Sequence, residues 1–131
     1  MSDTIKITNE YIEKVVNSPL SMDIKKKEFP IKTAYWIARC FDKIKKLADT
    51  YLEEKKKLIN KYAIEKDEQG NAKMQEGMIS LSDPNKFSEE LKELLDIEID
   101  LGINKIKIDL DKCPNLTLEE MDILLPLIEE I

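Results

Sequence analysis

The residues best suited to chemistry share one side of a long helical segment. Lys32, Trp36, Arg39, Lys43 and Lys46 recur at spacings of four, three, four and three, which a period of 3.6 residues gathers on one helix face. The single tryptophan and the single arginine of the chain both belong to this set. A planar guanidinium beside an indole, flanked by ammonium groups, is suited to stacking a heterocyclic base and holding a phosphate. Lys32, Trp36, Arg39 and Lys43 are therefore the candidate ligand-binding residues, for a small anionic, nucleotide-like ligand. The competing reading assigns them no ligand: Trp36 covers a neighbouring element or a second copy of the chain, and the cations stay solvated.

Acidic residues offer a second constellation. Glu98, Asp100, Asp109 and Asp111 alternate with apolar residues, and on adjacent strands they would face one another closely enough to bind a divalent cation or to titrate as an acid/base pair. The same alternation puts them on the wet face of a sheet, so a solvated surface is the expectation and no metal ligand is assigned. Asp67–Asn71 lacks the ligand spacing and terminal glutamate of a calcium loop. With Gly70, Gly77 and Gly102 as the only glycines, there is no glycine-rich phosphate loop. Histidine is absent, which removes the commonest general base and the usual Ser-His and Cys-His nucleophile systems. Cys40 and Cys113 are far apart and form no C-x-x-C pattern, as expected of two thiols in a reducing compartment. The expectation is a protein that is not an enzyme, with no catalytic residue and no cofactor.

Charge is divided along the chain. The net charge is −6, but residues 1–62 carry 14 Lys and Arg against 9 Asp and Glu, a net +5, while residues 63–131 carry 7 against 18, a net −11. Such halves neutralise each other within one fold or between copies in an oligomer. The acidic balance disfavours generic nucleic-acid binding, yet leaves room for a local basic pocket.

The elements that must position these residues follow from periodicity. From Pro30 to about Ala63, Ala34, Ile37, Phe41, Ile44, Ala48, Tyr51, Lys55, Leu58 and Tyr62 repeat at threes and fours, a seam along one helix of roughly 50 Å. Pro30 suits the first turn of that helix. Before it, the alternation around Ile5 and Ile7 predicts a short strand. A brief helix follows, capped by Thr8 or Asn9, with Tyr11, Ile12, Val15 and Val16 inward. Residues 19–29 read as a connection anchored by Leu20, Met22, Ile24 and Phe29, with Lys25–Lys27 solvated.

After the long helix, residues 65–77 are polar and turn at Gln69–Asn71, as two ragged hairpin arms or a mobile tip. Asp83–Pro84 opens a helix with a stripe of Phe87, Leu91, Leu94 and Leu95, expected to pack on the long one. Ile97 to Ile103 and Ile106 to Leu110 predict two strands joined by a tight turn into an antiparallel pair. Thr117–Glu120 is a capping box with Leu116 and Met121 as its staple. The helix it opens carries Leu118, Met121, Leu124, Leu125 and Ile128, and Pro126 kinks or shortens it.

The fold class expected is α+β in one domain over residues 1–131: a helix over about 30–63 packed with shorter helices and a small antiparallel sheet. The seam is longer than the helix at 84–96 can cover, so a homo-oligomer is expected. No apolar run approaches a membrane span and residues 1–8 have no hydrophobic signal core, so a cytoplasmic site is expected.

The order of the pieces FPIKTAYWIARCFDKIKKL, LINKYAIEKDEQGN, PNKFSEELKELLDIEIDL and LTLEEMDILLPLI, over residues 28–128, resembles small helical proteins of phages and prophages of Gram-positive bacteria. That resemblance implies a phage origin and action in the cytoplasm of the host bacterial cell, and it assigns no functional residue. The function expected is sequestration: inhibition of a bacterial defence system by holding a nucleotide-like signal or a host defence protein. The alternative is a structural or assembly factor of the phage particle that works through helix-mediated protein contacts.

Overall fold

In the computed structural model, residues 4–74 and 78–130 are described. The chain is α+β, in the order β1 (Thr4–Thr8), α1 (Asn9–Val16), α2 (Leu20–Lys25), α3 (Ile31–Tyr62), α4 (Pro84–Leu95), β2 (Glu98–Asn104), β3 (Ile106–Ile108), α5 (Leu118–Leu124) and β4 (Ile128–Glu130). It divides into two compact units, residues 1–48 with 98–131, and residues 49–97. α3 contributes its N-terminal half to the first and its C-terminal half to the second. Among the described residues, no helix is long and apolar enough to cross a membrane.

The first unit owes its core to the seam of α3. Ile37, Cys40, Phe41, Ile44 and Ala48 are buried, together with Ile5, Ile7, Ile12, Ile24, Leu101, Ile103, Ile106, Ile108, Ile123, Leu124 and Leu127. The helix begins one residue later than expected. Pro30 precedes it, and its carbonyl accepts the first intrahelical bond, from Ala34 N at 2.9 Å. Thr8 caps α1 through its hydroxyl, as the sequence suggests. Ile12 and Val15 face inward but Val16 is exposed, because eight residues make only about two turns and the buried arc is narrow.

The segment read as a connection contains α2. Ile24 is its buried anchor, whereas Met22 is exposed. Six residues are too few to establish a period, so a helix of this length leaves little signal. Lys25 lies 3.9 Å from Asp42, and Lys27 lies 3.4 Å from the buried carboxylate of Glu120, so part of the lysine run is paired rather than solvated.

The strands differ from expectation in their partners. β2 pairs antiparallel with β1 (Thr8 opposite Glu98, Lys6 opposite Asp100), and β3 pairs in parallel with β4 (Ile106 opposite Ile128). The expected β2–β3 hairpin is not formed. Only Lys105 separates the two strands, too short a link for the chain to reverse, so it runs on and each strand pairs with a terminal segment. Of the alternating apolar residues, Leu101, Ile103, Ile106 and Ile108 are buried and Ile99 is half-buried, whereas Ile97 and Leu110 at the two ends are exposed; alternation specifies a face and not a neighbour. The β1–β2 register slips between Thr4 and Lys6, where β2 carries extra residues around Gly102 at φ +69°. A left-handed backbone of this kind is costly for any residue with a Cβ, which is why glycine occupies the bulge.

α5 has the full capping box: Thr117 Oγ1 accepts from Glu120 N at 3.1 Å, and Glu120 Oε1 accepts from Thr117 N at 2.9 Å. Its inward face is Ile123 and Leu124. Leu118 and Leu125 of the expected stripe are exposed. Pro126 shortens the helix into a 3-10 turn over Leu125–Leu127, and Ile128 opens β4 instead of extending the helix.

In the second unit, Tyr51 and Tyr62 of α3 are buried. α4 begins as expected, with Asp83 accepting from Lys86 N and Pro84 in the first turn. Phe87 packs edge-on against Tyr62 at 6.2 Å, and Glu90 pairs with Lys61 at 3.0 Å, although no residue of α4 is fully buried. The polar segment forms arms bridged at Ala63–Leu81 and Lys66–Ala72. Asp67 Oδ1 accepts from Gln69 N and Asn71 N at 2.9 Å each, and Gly70 takes φ +82°. Of the segment expected as a mobile tip, residues 75–77, including Gly77, lie outside the described residues.

Candidate functional site

One groove in the first unit, of about 550 Å³, is lined by all four candidate residues, Lys32, Trp36, Arg39 and Lys43. Helical spacing accounts for this directly. The four lie on successive turns of α3, on the side away from the buried Ile37, Phe41 and Ile44. Lys46, which shares their periodicity, does not line the groove.

The opposite wall comes from the chain between Gly102 and Lys107. It adds two cations that sequence reasoning missed, Lys105 and Lys107. In β3 the burial of Ile106 and Ile108 sends Lys107 to the other face. Outward alternation was visible in the sequence. What was not visible is that Lys107 lines a groove together with α3, because that depends on which partners β2 and β3 take.

Within the groove the side chains are not equivalent. Trp36 is 44% exposed, so much of its indole remains open to solvent, and Tyr35 meets it edge-on at 5.3 Å and 82°. Lys43 is half-buried, and its ammonium donates to the Leu101 carbonyl at 2.7 Å. It thereby ties α3 to β2 at the bulge, while Lys32, Arg39, Lys105 and Lys107 supply the remaining charge. No Asp or Glu lines the groove among the described residues, in a protein whose net charge is −6.

The thiol on the inner side of this helix is chemically quiet. Burial pushes Cys40 up to about 11, with Lys43 opposing the effect only in part. Burial also raises Tyr11, with Cys40 a secondary cause, and its hydroxyl donates to the Ile123 carbonyl. Cys113 is half-buried, its thiol raised first by burial and then by Asp109.

The acidic constellation does not assemble. Asp100 accepts from Gly102 N at 2.8 Å and from Thr4 Oγ1 at 2.7 Å, bonds that hold its carboxyl below the ordinary range. Asp109 caps the 3-10 turn over Leu110–Lys112 by accepting from Asp111 N at 3.0 Å. Because β2 and β3 are not neighbours, Glu98 and Asp100 do not face Asp109 and Asp111 across a ladder. Among the described residues, no group of three or more Cys, Asp or Glu side chains is placed to hold a metal ion.

No protein-family model, curated protein or solved structure matches this chain.

Proposed function

We propose that this is a non-catalytic binding protein of phage type, which captures a small anionic, nucleotide-like ligand in the groove beside α3. Capture in the cytoplasm of a host bacterium would deplete a signal on which a defence system depends. The observation that carries the reading is the lining itself: an accessible indole among Lys and Arg side chains, with no carboxylate among the described residues, on a protein that is acidic as a whole. Stacking supplies affinity for a base, and charge-assisted hydrogen bonds supply affinity for phosphate. The volume of about 550 Å³ falls within the about 300–1,000 Å³ of small-molecule sites.

Native mass spectrometry of the protein purified from a bacterial host tests this reading. The expected result is a species carrying a few hundred daltons of extra mass, lost in a folded Trp36→Ala/Arg39→Ala variant. A bare protein, or retention unchanged in the variant, would overturn the assignment.

A second reading is favoured by Ile31 and Tyr35, 85% and 54% exposed at the start of the same helix. There the face of α3 docks on a second copy, a host defence protein or a virion protein, and Trp36 belongs to a protein contact. Light scattering at micromolar concentration distinguishes self-association from a monomer, and on this reading an Ile31→Ser/Tyr35→Ser variant would release the partner while the wild type itself retains no ligand.

A further inference from the structure

We infer that the ligand class of this groove is a nucleoside polyphosphate bound without a metal ion; the inference rests on the nucleotide-capture reading above. Three features of the lining lead to it. Trp36 is the only aromatic among the lining residues that are described, so the groove has a platform for one base and not for two. Lys32, Arg39, Lys105 and Lys107 come from both walls, and Lys43 is already engaged by the Leu101 carbonyl. Four cations around a single stacking ring match a chain of phosphates on one nucleoside. A linked dinucleotide has two bases to stack and less charge for each base.

The third feature is the absence of Asp and Glu from the lining among the described residues. Enzymes that use nucleoside triphosphates hold Mg²⁺ through one or two carboxylates together with the phosphates. Here no carboxylate of the described residues would coordinate the ion, only neutral oxygens such as those of Thr33 and Asn104, and the four cations are placed to neutralise the phosphates directly. Mg²⁺ would compete with them by removing the negative charge on which they act. The first turn of α3, which contributes Lys32 and Thr33 to the lining, contains no acidic residue, so its positive dipole end adds to the same field. Asn104, also in the lining, carries both a donor and an acceptor for a base edge or a ribose hydroxyl.

The chain's one tryptophan reports directly on occupancy. Trp36 fluorescence is titrated with ATP, ADP, AMP, tripolyphosphate and cyclic di-AMP, each in EDTA, and with ATP in excess Mg²⁺. The expected result is saturable quenching with affinity falling in the order ATP, ADP, AMP by about tenfold per phosphate, and weaker binding of ATP with Mg²⁺. Lys105→Gln/Lys107→Gln should weaken ATP at least about tenfold and leave AMP within about twofold; Lys107→Gln alone, at an exposed position, serves if the double variant fails to fold.

Tighter binding of cyclic di-AMP than of ATP, or a requirement for Mg²⁺, would overturn the polyphosphate assignment and leave nucleotide capture standing; tripolyphosphate binding as tightly as ATP would mean that no base is read and would overturn both. If no probe binds and the protein purified from its host also carries no extra mass, both readings fall.

Discussion

Replacing Glu120 tests how the first unit is closed. This carboxylate is 3% exposed, accepts from Thr117 N at 2.9 Å, and lies 3.4 Å from Lys27 Nζ, whose side chain is 28% exposed. It thus joins the start of α5 to the segment that follows α2. Glu120→Ala removes half of the capping box and the partner of Lys27, but water can still reach both groups left behind. The cost is therefore that of a cap and a charge-assisted hydrogen bond, about 2 kcal/mol, and not the larger cost of stranding a fully buried charge. Glu120→Gln keeps an acceptor for Thr117 N and loses only the charge, so it should recover about half of that loss.

The difference between Glu and Gln must depend on pH. The Thr117 bond is the largest cause holding the Glu120 carboxyl below its ordinary 4.5, and Lys27 adds to it. A group depressed in the folded state stabilises it fully above its unfolded value and loses that contribution as pH falls through the folded value. Urea denaturation of the wild type, E120Q and E120A at pH 7 and again near pH 2.5 measures this. The gap between wild type and E120Q should be present at pH 7 and close in acid. A gap of the same size at both pH values would refute the electrostatic account and leave only packing.

Three further outcomes follow from the fold. Cys113 should react with a thiol reagent in the native state while Cys40, 0% exposed and pushed up to about 11, reacts only on unfolding; equal rates would contradict this. Ile44→Ala, at a fully buried position of α3, should cost about 2–5 kcal/mol in chemical denaturation, whereas Leu118→Ala, at an 86% exposed position, should stay within about 0.5 kcal/mol of wild type. Gly102→Ala should cost about 1–2 kcal/mol through its φ of +69° alone, since the nearest atom to an added Cβ is Lys43 Nζ at 3.8 Å; a neutral result would mean that the bulge relaxes.

Local chemistry determined a good deal of this protein in the sequence itself. The long helix, the Thr8, Asp83 and Thr117 caps, the effect of Pro126 and the burial of Leu101, Ile103, Ile106 and Ile108 all depend on residues within a turn or two of one another. Spacing on a single helix also brought Lys32, Trp36, Arg39 and Lys43 together, because helical periodicity acts without reference to the rest of the chain.

What only the tertiary structure decided depends on partners distant in sequence. α2 is too short to have a period, and Leu118 and Leu125 are apolar yet exposed, because the packing of α5 and not composition selects its inner face. The strands offered a buried face but no rule for choosing neighbours, so β2 found β1 across most of the chain length and β3 found β4 beyond the intervening α5. That choice separated the carboxylates at 98–100 from those at 109–111, and it brought Lys105 and Lys107 opposite Trp36. One wall of the groove is thus a consequence of helix geometry, readable from spacing. The other is a consequence of strand pairing, which free energy settles only when the whole core is assembled.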